Sequence, residues 1–330
     1  MTKIAVIGAG TWGIALARLL TLKNHDVIVW SAIEKEIDNL VSTRVHHILS
    51  EMDIPEEMKF TKDIKEAVDN CDIILMAVPS VFVRGTTEKI KEFYKENMVI
   101  VDVAKGMESD TLFTMSEIIT DVIPSAKVVA LTGPTHAEEV AFDQPTTIVA
   151  ACSDETVAEY VQDVFITNTF RVYTNNDIKG VELAGAIKNV MALAVGVLRG
   201  LGLGDNSSAA VITRGLAEIV RLGTQMGCNR ETFYGLAGVG DLIVTCTSIH
   251  SRNFKAGQLI GSGMSAEEAK EKVGMVVEGI NMLPAAMKLI EKYDVEMPIV
   301  EKVNAVVNEG MDPAQAARDL MLREKKGENK

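Results

Sequence analysis

The segment Gly8-Ala9-Gly10-Thr11-Trp12-Gly13 limits what this chain can fold into, because it follows the apolar run Ile4 to Ile7 and opens the helical apolar run Ile14-Ala15-Leu16-Ala17. In a strand–turn–helix unit each glycine has a task. The first makes the tight turn, the second lets the backbone approach a pyrophosphate, and the third permits close packing of the helix. Free N–H groups at the helix start attract phosphates. The glycine pattern alone would also serve a structural turn. Placed between a strand and a helix at the head of an α/β pattern, it predicts dinucleotide binding.

The rest of the first half keeps that pattern. Apolar runs of β type occur at Ile4 to Ile7, Val27 to Trp30, Ile73 to Val78, Met98 to Val103, Lys127 to Leu131, Thr146 to Ala150 and Phe170 to Tyr173, with helical stretches between them. They lack polar alternation, as strands covered on both faces do. Interleaved strands and helices imply a doubly wound parallel sheet. From about residue 180 the β signal gives way to stretches rich in Ala, Leu, Met and Glu. The expected fold is therefore α/β, an N-terminal Rossmann-like doubly wound sheet over residues 1–179 followed by an all-helical domain over 180–330. A length of 330 residues fits two cores. In the stretch Ser207 to Met226, Arg214, Glu218 and Arg221 fall at helical spacing and are expected on a solvated ionic face. The charged tail after Leu322 is expected to fray.

Composition excludes some classes. With 33 basic against 46 acidic residues the net charge is -13, which argues against wrapping nucleic acid or lying on an anionic membrane. Cys71, Cys152, Cys228 and Cys246 form no CxxC pair and no metal-ligand spacing with a histidine, so no metal site is expected and the thiols read as free. His46 and His47, in a polar stretch, read as surface or loop residues rather than ligands. The apolar run after Met-Thr-Lys is too short for a signal-peptide core, so a cytoplasmic location is expected. The long apolar stretch Val181 to Leu198 carries Glu182, Lys188 and Asn189, which suits a buried core helix and not a membrane span.

The tip of the second strand normally carries an acid for the ribose or an arginine for a 2′-phosphate. This chain reads Trp30-Ser31-Ala32-Ile33-Glu34. Glu34 could reach the ribose, but Ser31 and Glu34 also have capping-box spacing. NAD and NADP both remain open.

Ligands of open α/β sheets bind beyond the carboxyl ends of the strands, which gives priority to polar residues just after strands. Met98 to Val103 leads into Ala104-Lys105-Gly106, placing an ammonium there. Lys127 to Leu131 leads into Gly133-Pro134-Thr135-His136-Ala137-Glu138, where Thr135 and Glu138 have capping-box spacing. His136 suits a functional and a structural role equally. Lys188 is the sharpest candidate, because the helix Ala184 to Ala192 is apolar nearly all round. Burial of an ammonium is costly and lowers its pKa toward the range where it trades protons. The alternative is a snorkelling or ion-paired structural lysine. Gly235-Leu236-Ala237-Gly238-Val239-Gly240-Asp241 reads as a tight turn presenting Asp241 and Thr245 to a cleft. In Ser251-Arg252-Asn253, an arginine beside helix-start amides suits a phosphate.

Together the segments GAGTWG, VAKG, TGPTHAEEVA, GAIKNV, ITRGLAE, GLAGVGDLIVTCTS, SRN and VVEG, in this order from residue 8 to residue 279, closely resemble the NAD(P)-dependent glycerol-3-phosphate dehydrogenases of the bacterial type. The resemblance implies NAD(P)H-dependent reduction of dihydroxyacetone phosphate to sn-glycerol 3-phosphate, a precursor of phospholipids, by a homodimer. It implies Lys188 as the acid/base, supported by Lys105 and Asp241. It places Lys105, Gly133, Thr135, Lys188, Asn189, Asp241, Thr245, Ser251, Arg252 and Asn253 at the substrate, and Gly8, Gly10, Thr11, Trp12, Gly13, Lys105, Ala137, Arg252, Val276 and Glu278 at the cofactor. The chain departs from the family pattern at Ala32, where NADP-using relatives often carry a basic residue, and between Thr43 and Pro55. A β-hydroxyacid dehydrogenase lacks the SRN segment, and a redox sensor that only binds the dinucleotide has no need of a buried proton donor at Lys188.

Overall fold

A computed structural model describes the chain except for Lys326, Asn329 and Lys330, so those members of the charged tail lie outside the described residues. Eight strands, β1 (Lys3–Ile7), β2 (Asp26–Trp30), β3 (Lys59–Thr61), β4 (Ile73–Met76), β5 (Val99–Asp102), β6 (Lys127–Thr132), β7 (Thr146–Ala151) and β8 (Phe170–Asn175), form one sheet among the described residues, in the order β3-β2-β1-β4-β5-β6-β7-β8. The chain leaves β1 toward β2 on one side and reaches β4 on the other, so a topological switch point lies between β1 and β4. Because β1, β4, β5 and β6 are parallel, the turns after all four open on the same edge. That edge carries Gly8, Ser80, Lys105 and Gly133.

Two features depart from the expected sheet. The strand β3 was not anticipated; with three residues, Lys59-Phe60-Thr61, it is too short to show a pattern. The strand β7 runs antiparallel to β6, and β8 is parallel to β7. The link from β6 to β7 holds only the short helix Ala137–Val140. One helical turn rises only about 6 Å, so the link supplies no helix of the length that carries a parallel crossover, and the chain runs back down beside β6 as an antiparallel neighbour.

The helical half is built around the helix Ile178–Gly200, here the central helix, buried without interruption from Gly180 to Leu198. It is long and apolar enough to cross a membrane, and its most apolar window is 100% buried inside the protein, as expected of a core helix. The helices Asp205–Gln225, Arg252–Gly261 and Glu278–Tyr293 pack on it. The contact with Arg252–Gly261 is backbone on backbone: a methyl group on Gly196 would lie 2.1 Å from the carbonyl oxygen of Phe254, and one on Gly257 2.1 Å from that of Leu193. This approach brings the Ser251-Arg252-Asn253 helix start beside Asn189 of the central helix.

Other local expectations are corrected. Ser31 does not cap with Glu34; its hydroxyl donates to Glu36, five residues on, and Glu34 faces Lys62. Thr135 and Glu138 make no capping box, because the short helix starts at Ala137 with His136 as its uncapped N-cap, and the Thr135 hydroxyl donates to the Gly133 carbonyl. Glu218 is not on a solvated face: it is 3% exposed and accepts N–H groups from Ile299 and Val300 at the start of the helix Pro298–Asn308. Leu236–Gly240 forms a turn of π-helix running into the helix Asp241–Thr247, not a tight turn. His47 is exposed, but His46 is buried in its loop, where Nδ1 accepts the N–H groups of Ile48 and Leu49. The segment from Thr43 to Pro55 is pinned by Arg44, whose guanidinium donates to the carbonyls of Pro55, Glu56 and Met58, while Leu49, Met52 and Ile54 join the core of the sheet half.

Candidate active site

The glycine turn has the geometry its sequence promised. Gly8 has φ +123°, and a methyl group there would lie 2.5 Å from the Ala77 carbonyl oxygen after β4. A methyl group on Gly13 would lie 2.1 Å from the Gly8 carbonyl, so the helix Thr11–Leu22 can sit this close to the turn only with hydrogen at that position. Gly10 differs: a methyl group there meets nothing within 4 Å. It is the N-cap of that helix, no side chain caps the first turn, and the first turn has no acidic residue. Free amides, an open approach and no competing carboxylate fit a dinucleotide pyrophosphate. Thr11 and Trp12 flank the turn half-buried, and Ala32 is exposed beyond the tip of β2.

Where the sheet half and the helical half meet, expected polar residues converge. The Lys188 side chain, on a residue 4% exposed, donates from Nζ to Asp241 Oδ1 at 2.7 Å and to Thr245 Oγ1 at 2.5 Å. Lys105, arriving from the end of β5, donates to the other oxygen of the same carboxylate, Oδ2, at 2.8 Å and to the Gly133 carbonyl at 3.1 Å. Asp241, 1% exposed at the start of the helix Asp241–Thr247, thus joins one lysine from the sheet half to one from the helical half. Asp241 and Thr245 lie four residues apart, one helical turn, so both face Lys188.

Burial pulls the Lys188 ammonium down to about 8; the Asp241 carboxylate pulls it up and the Lys105 charge pushes it further down. For Asp241 burial alone would raise the pKa, but the charges of Lys105 and Lys188 outweigh it and hold the carboxyl below its usual value. The result is a charged carboxylate between two amines, one of which is poised to lose a proton near neutral pH.

The Ser251-Arg252-Asn253 segment starts the helix Arg252–Gly261. Ser251 is its N-cap and accepts the Phe254 N–H. Arg252 is exposed and in no ion pair among the described residues, so its guanidinium is free at a helix start. Asn253 is buried in a structural chain: its Nδ2 donates to Asn189 Oδ1 at 2.9 Å, and its Oδ1 accepts the Gly279 N–H at 2.8 Å. Asn189 and Asn253 therefore tie three helices together next to Lys188. Ala137 and Val276 are half-buried, and Glu278 opens the helix Glu278–Tyr293. The His136 ring lies 5.8 Å from that of His250, bridging the two halves, and burial lowers its pKa. Ser80 was overlooked by the sequence reading, although it too follows a strand; it donates to Glu278 from both its amide and its hydroxyl.

A glycine turn at the switch point of the sheet, together with a desolvated lysine on the helical half tied through Asp241 to a lysine from the sheet half, fits a two-part nicotinamide-dinucleotide dehydrogenase. Within that class the chain belongs to the NAD-dependent glycerol-3-phosphate dehydrogenase family: residues 3–158 match the family's N-terminal model and residues 177–318 its C-terminal model. It is an oxidoreductase with NAD or NADP as cofactor. It is 59% identical to glycerol-3-phosphate dehydrogenase [NAD(P)+] 2 of Lactobacillus delbrueckii subsp. bulgaricus, over 99% of each chain, and 50% identical to the glycerol-3-phosphate dehydrogenase [NAD(P)+] of Agathobacter rectalis, over 100% of this chain and 98% of the relative. The crystal structure of the Coxiella burnetii glycerol-3-phosphate dehydrogenase superposes with a TM-score of 0.94 at 34% identity, covering 98% of this chain and 99% of the other.

Proposed function

We propose that the enzyme catalyses the reversible NAD(P)H-dependent reduction of dihydroxyacetone phosphate to sn-glycerol 3-phosphate, supplying glycerophospholipid synthesis, with Lys188 as the acid/base. The Lys188–Asp241–Lys105 cluster carries this reading. The nicotinamide, when bound, supplies the hydride. Charge then builds on the ketone oxygen, and Lys188 stabilises it and gives up its proton there, worth roughly 10²–10⁴-fold for general acid catalysis. In the reverse direction the neutral amine takes the proton from the alcohol. Asp241 keeps Lys188 aimed and Lys105 beside it, and Thr245, one turn along the same helix, accepts a second bond from the ammonium.

The remaining roles are part of the same proposal. Arg252, Ser251 and the helix-start amides hold the substrate phosphate, with Asn253 and Asn189 fixing that helix start in place; Gly133 and Thr135 form the facing wall. Lys105 and Lys188 on one buried carboxylate, with the exposed Arg252 at the helix start, give an acidic protein the local positive charge a phosphate dianion needs. Gly8, Gly10, Thr11, Trp12, Gly13, Lys105, Ala137, Arg252, Val276 and Glu278 hold the cofactor. Residues 1–179 act as the dinucleotide domain and 180–330 as the substrate domain. The working form is a cytoplasmic homodimer.

The test is absorbance loss of NADH and of NADPH in parallel, with and without dihydroxyacetone phosphate. Substrate-dependent oxidation of at least one is expected, and the ratio gives the cofactor preference. Oxidation of neither would overturn the proposal.

A further inference from the structure

Ser80 and Glu278 are 198 residues apart in the chain, yet one carboxylate takes two bonds from one serine: Glu278 Oε1 accepts the Ser80 N–H at 3.1 Å and Oε2 accepts the Ser80 hydroxyl at 2.7 Å. Two bonds to two oxygens fix the plane of the carboxylate as well as its position, and hydrogen bonds to a charged acceptor are the strong ones. Ser80 is 8% exposed, in the turn after β4. A third segment closes on the same point. A methyl group on Gly106, the residue after Lys105, would lie 2.5 Å from Ser80 Cβ and 2.6 Å from its Oγ. The backbone after Glu278 is held in turn, since the Gly279 N–H donates to Asn253, and Asn253 donates to Asn189, the neighbour of Lys188.

We propose that Ser80 is the positioning residue for Glu278: it fixes the carboxylate that meets the cofactor and locks the turns after β4 and β5 to the first turn of the helix Glu278–Tyr293. The inference rests on the reading that Glu278 meets the cofactor. Ser80 itself touches no reacting atom. It acts through Glu278, and the packing of Gly106 on Ser80 makes the same contact set the entry of the Lys105 loop.

The experiment is a double-mutant cycle on the full chain with Ser80→Ala, Glu278→Gln and the pair, reading KM for the preferred dinucleotide, KM for dihydroxyacetone phosphate, and melting temperature. Ser80→Ala is expected to raise the dinucleotide KM on the order of tenfold, the scale of one charge-assisted hydrogen bond, with the other KM within about twofold of wild type. Ser80→Thr, which keeps the hydroxyl, should restore most of the loss. In the Glu278→Gln background, Ser80→Ala should add nothing. An unaltered dinucleotide KM in Ser80→Ala, or effects that add in the pair, would overturn the role of Ser80 while leaving that of Glu278 in place. A drop in melting temperature with both KM values moved equally would overturn it as well. If Glu278→Gln alone leaves the dinucleotide KM unchanged, the reading of Glu278 itself falls, and this inference with it.

Discussion

The Lys188 ammonium sits 2.7 Å from Asp241 Oδ1 with both side chains removed from solvent, 6% and 2% exposed. A pair this deep is held by mutual need, because either charge alone would be stranded in an apolar surround. Asp241 is the only one of the two with a second cation, Lys105, on its other oxygen among the described residues.

Replacing Asp241 by Asn keeps the shape and removes the charge. Burial and Lys105 then act on Lys188 without the main opposing charge, so its pKa should fall below about 8. We expect kcat to drop about 100-fold or more, the scale of losing one oriented acid/base partner, and the alkaline limb of the rate profile to shift to lower pH. A limb that stays in place would show that Asp241 does not govern the lysine.

The direction of catalysis should read out the same lysine. Reduction needs the protonated amine, so kcat should be level below about 8 and fall tenfold per pH unit above it; oxidation needs the neutral amine and should rise through the same region. Lys188→Met should lower kcat by roughly 10²–10⁴-fold with dinucleotide binding intact. Wild-type turnover in that variant, or reduction that stays level to high pH, would remove Lys188 from the mechanism.

The turn glycines predict a contrast. Gly10 has open space and φ −68°, a conformation open to alanine, so Gly10→Ala should melt near wild type while the dinucleotide KM rises. Gly13→Ala forces a methyl group onto the Gly8 carbonyl, and should cost about 1–3 kcal/mol of stability before any ligand is added. Melting curves and quenching of Trp12 fluorescence by NADH or NADPH distinguish the two. Equal loss of stability in both variants would contradict the open approach at Gly10.

How far these features were legible depended on the range of the signal. The first βα unit, Lys105 and Lys188 were readable because each rests on a local pattern: glycines between a strand and a helix, a cation after a strand, a charge in an apolar helix. The strand β3 had too few residues to show a period. The reversal of β7 goes with a connection that holds one helical turn in place of a crossover helix. The contacts of Gly196 with Gly257, of Ser80 with Glu278 and of Glu218 with Ile299 join distant segments, and spacing within one helix cannot report them. Glu218 is instructive, since its spacing from Arg214 and Arg221 is that of an exposed ion-pair face. Tertiary packing overrode it: two free amides at the start of another helix needed an acceptor.

That buried carboxylate carries the last prediction. Burial raises the Glu218 pKa to about 7 from its ordinary 4.5, although the N–H groups of Ile299 and Val300 pull the other way. A group with a raised native pKa favours the fold while protonated. Its contribution is complete below about pH 4.5 and is lost as pH climbs through about 7, on the order of 3 kcal/mol in all. Glu218→Gln keeps an acceptor oxygen and cannot ionise, so the variant should lose less stability than wild type between pH 5 and pH 8. Urea midpoints at the two pH values measure this. Equal losses in variant and wild type would mean that Glu218 titrates in the native state much as it does in the unfolded chain, and that the amides of Ile299 and Val300, not its burial, set its charge.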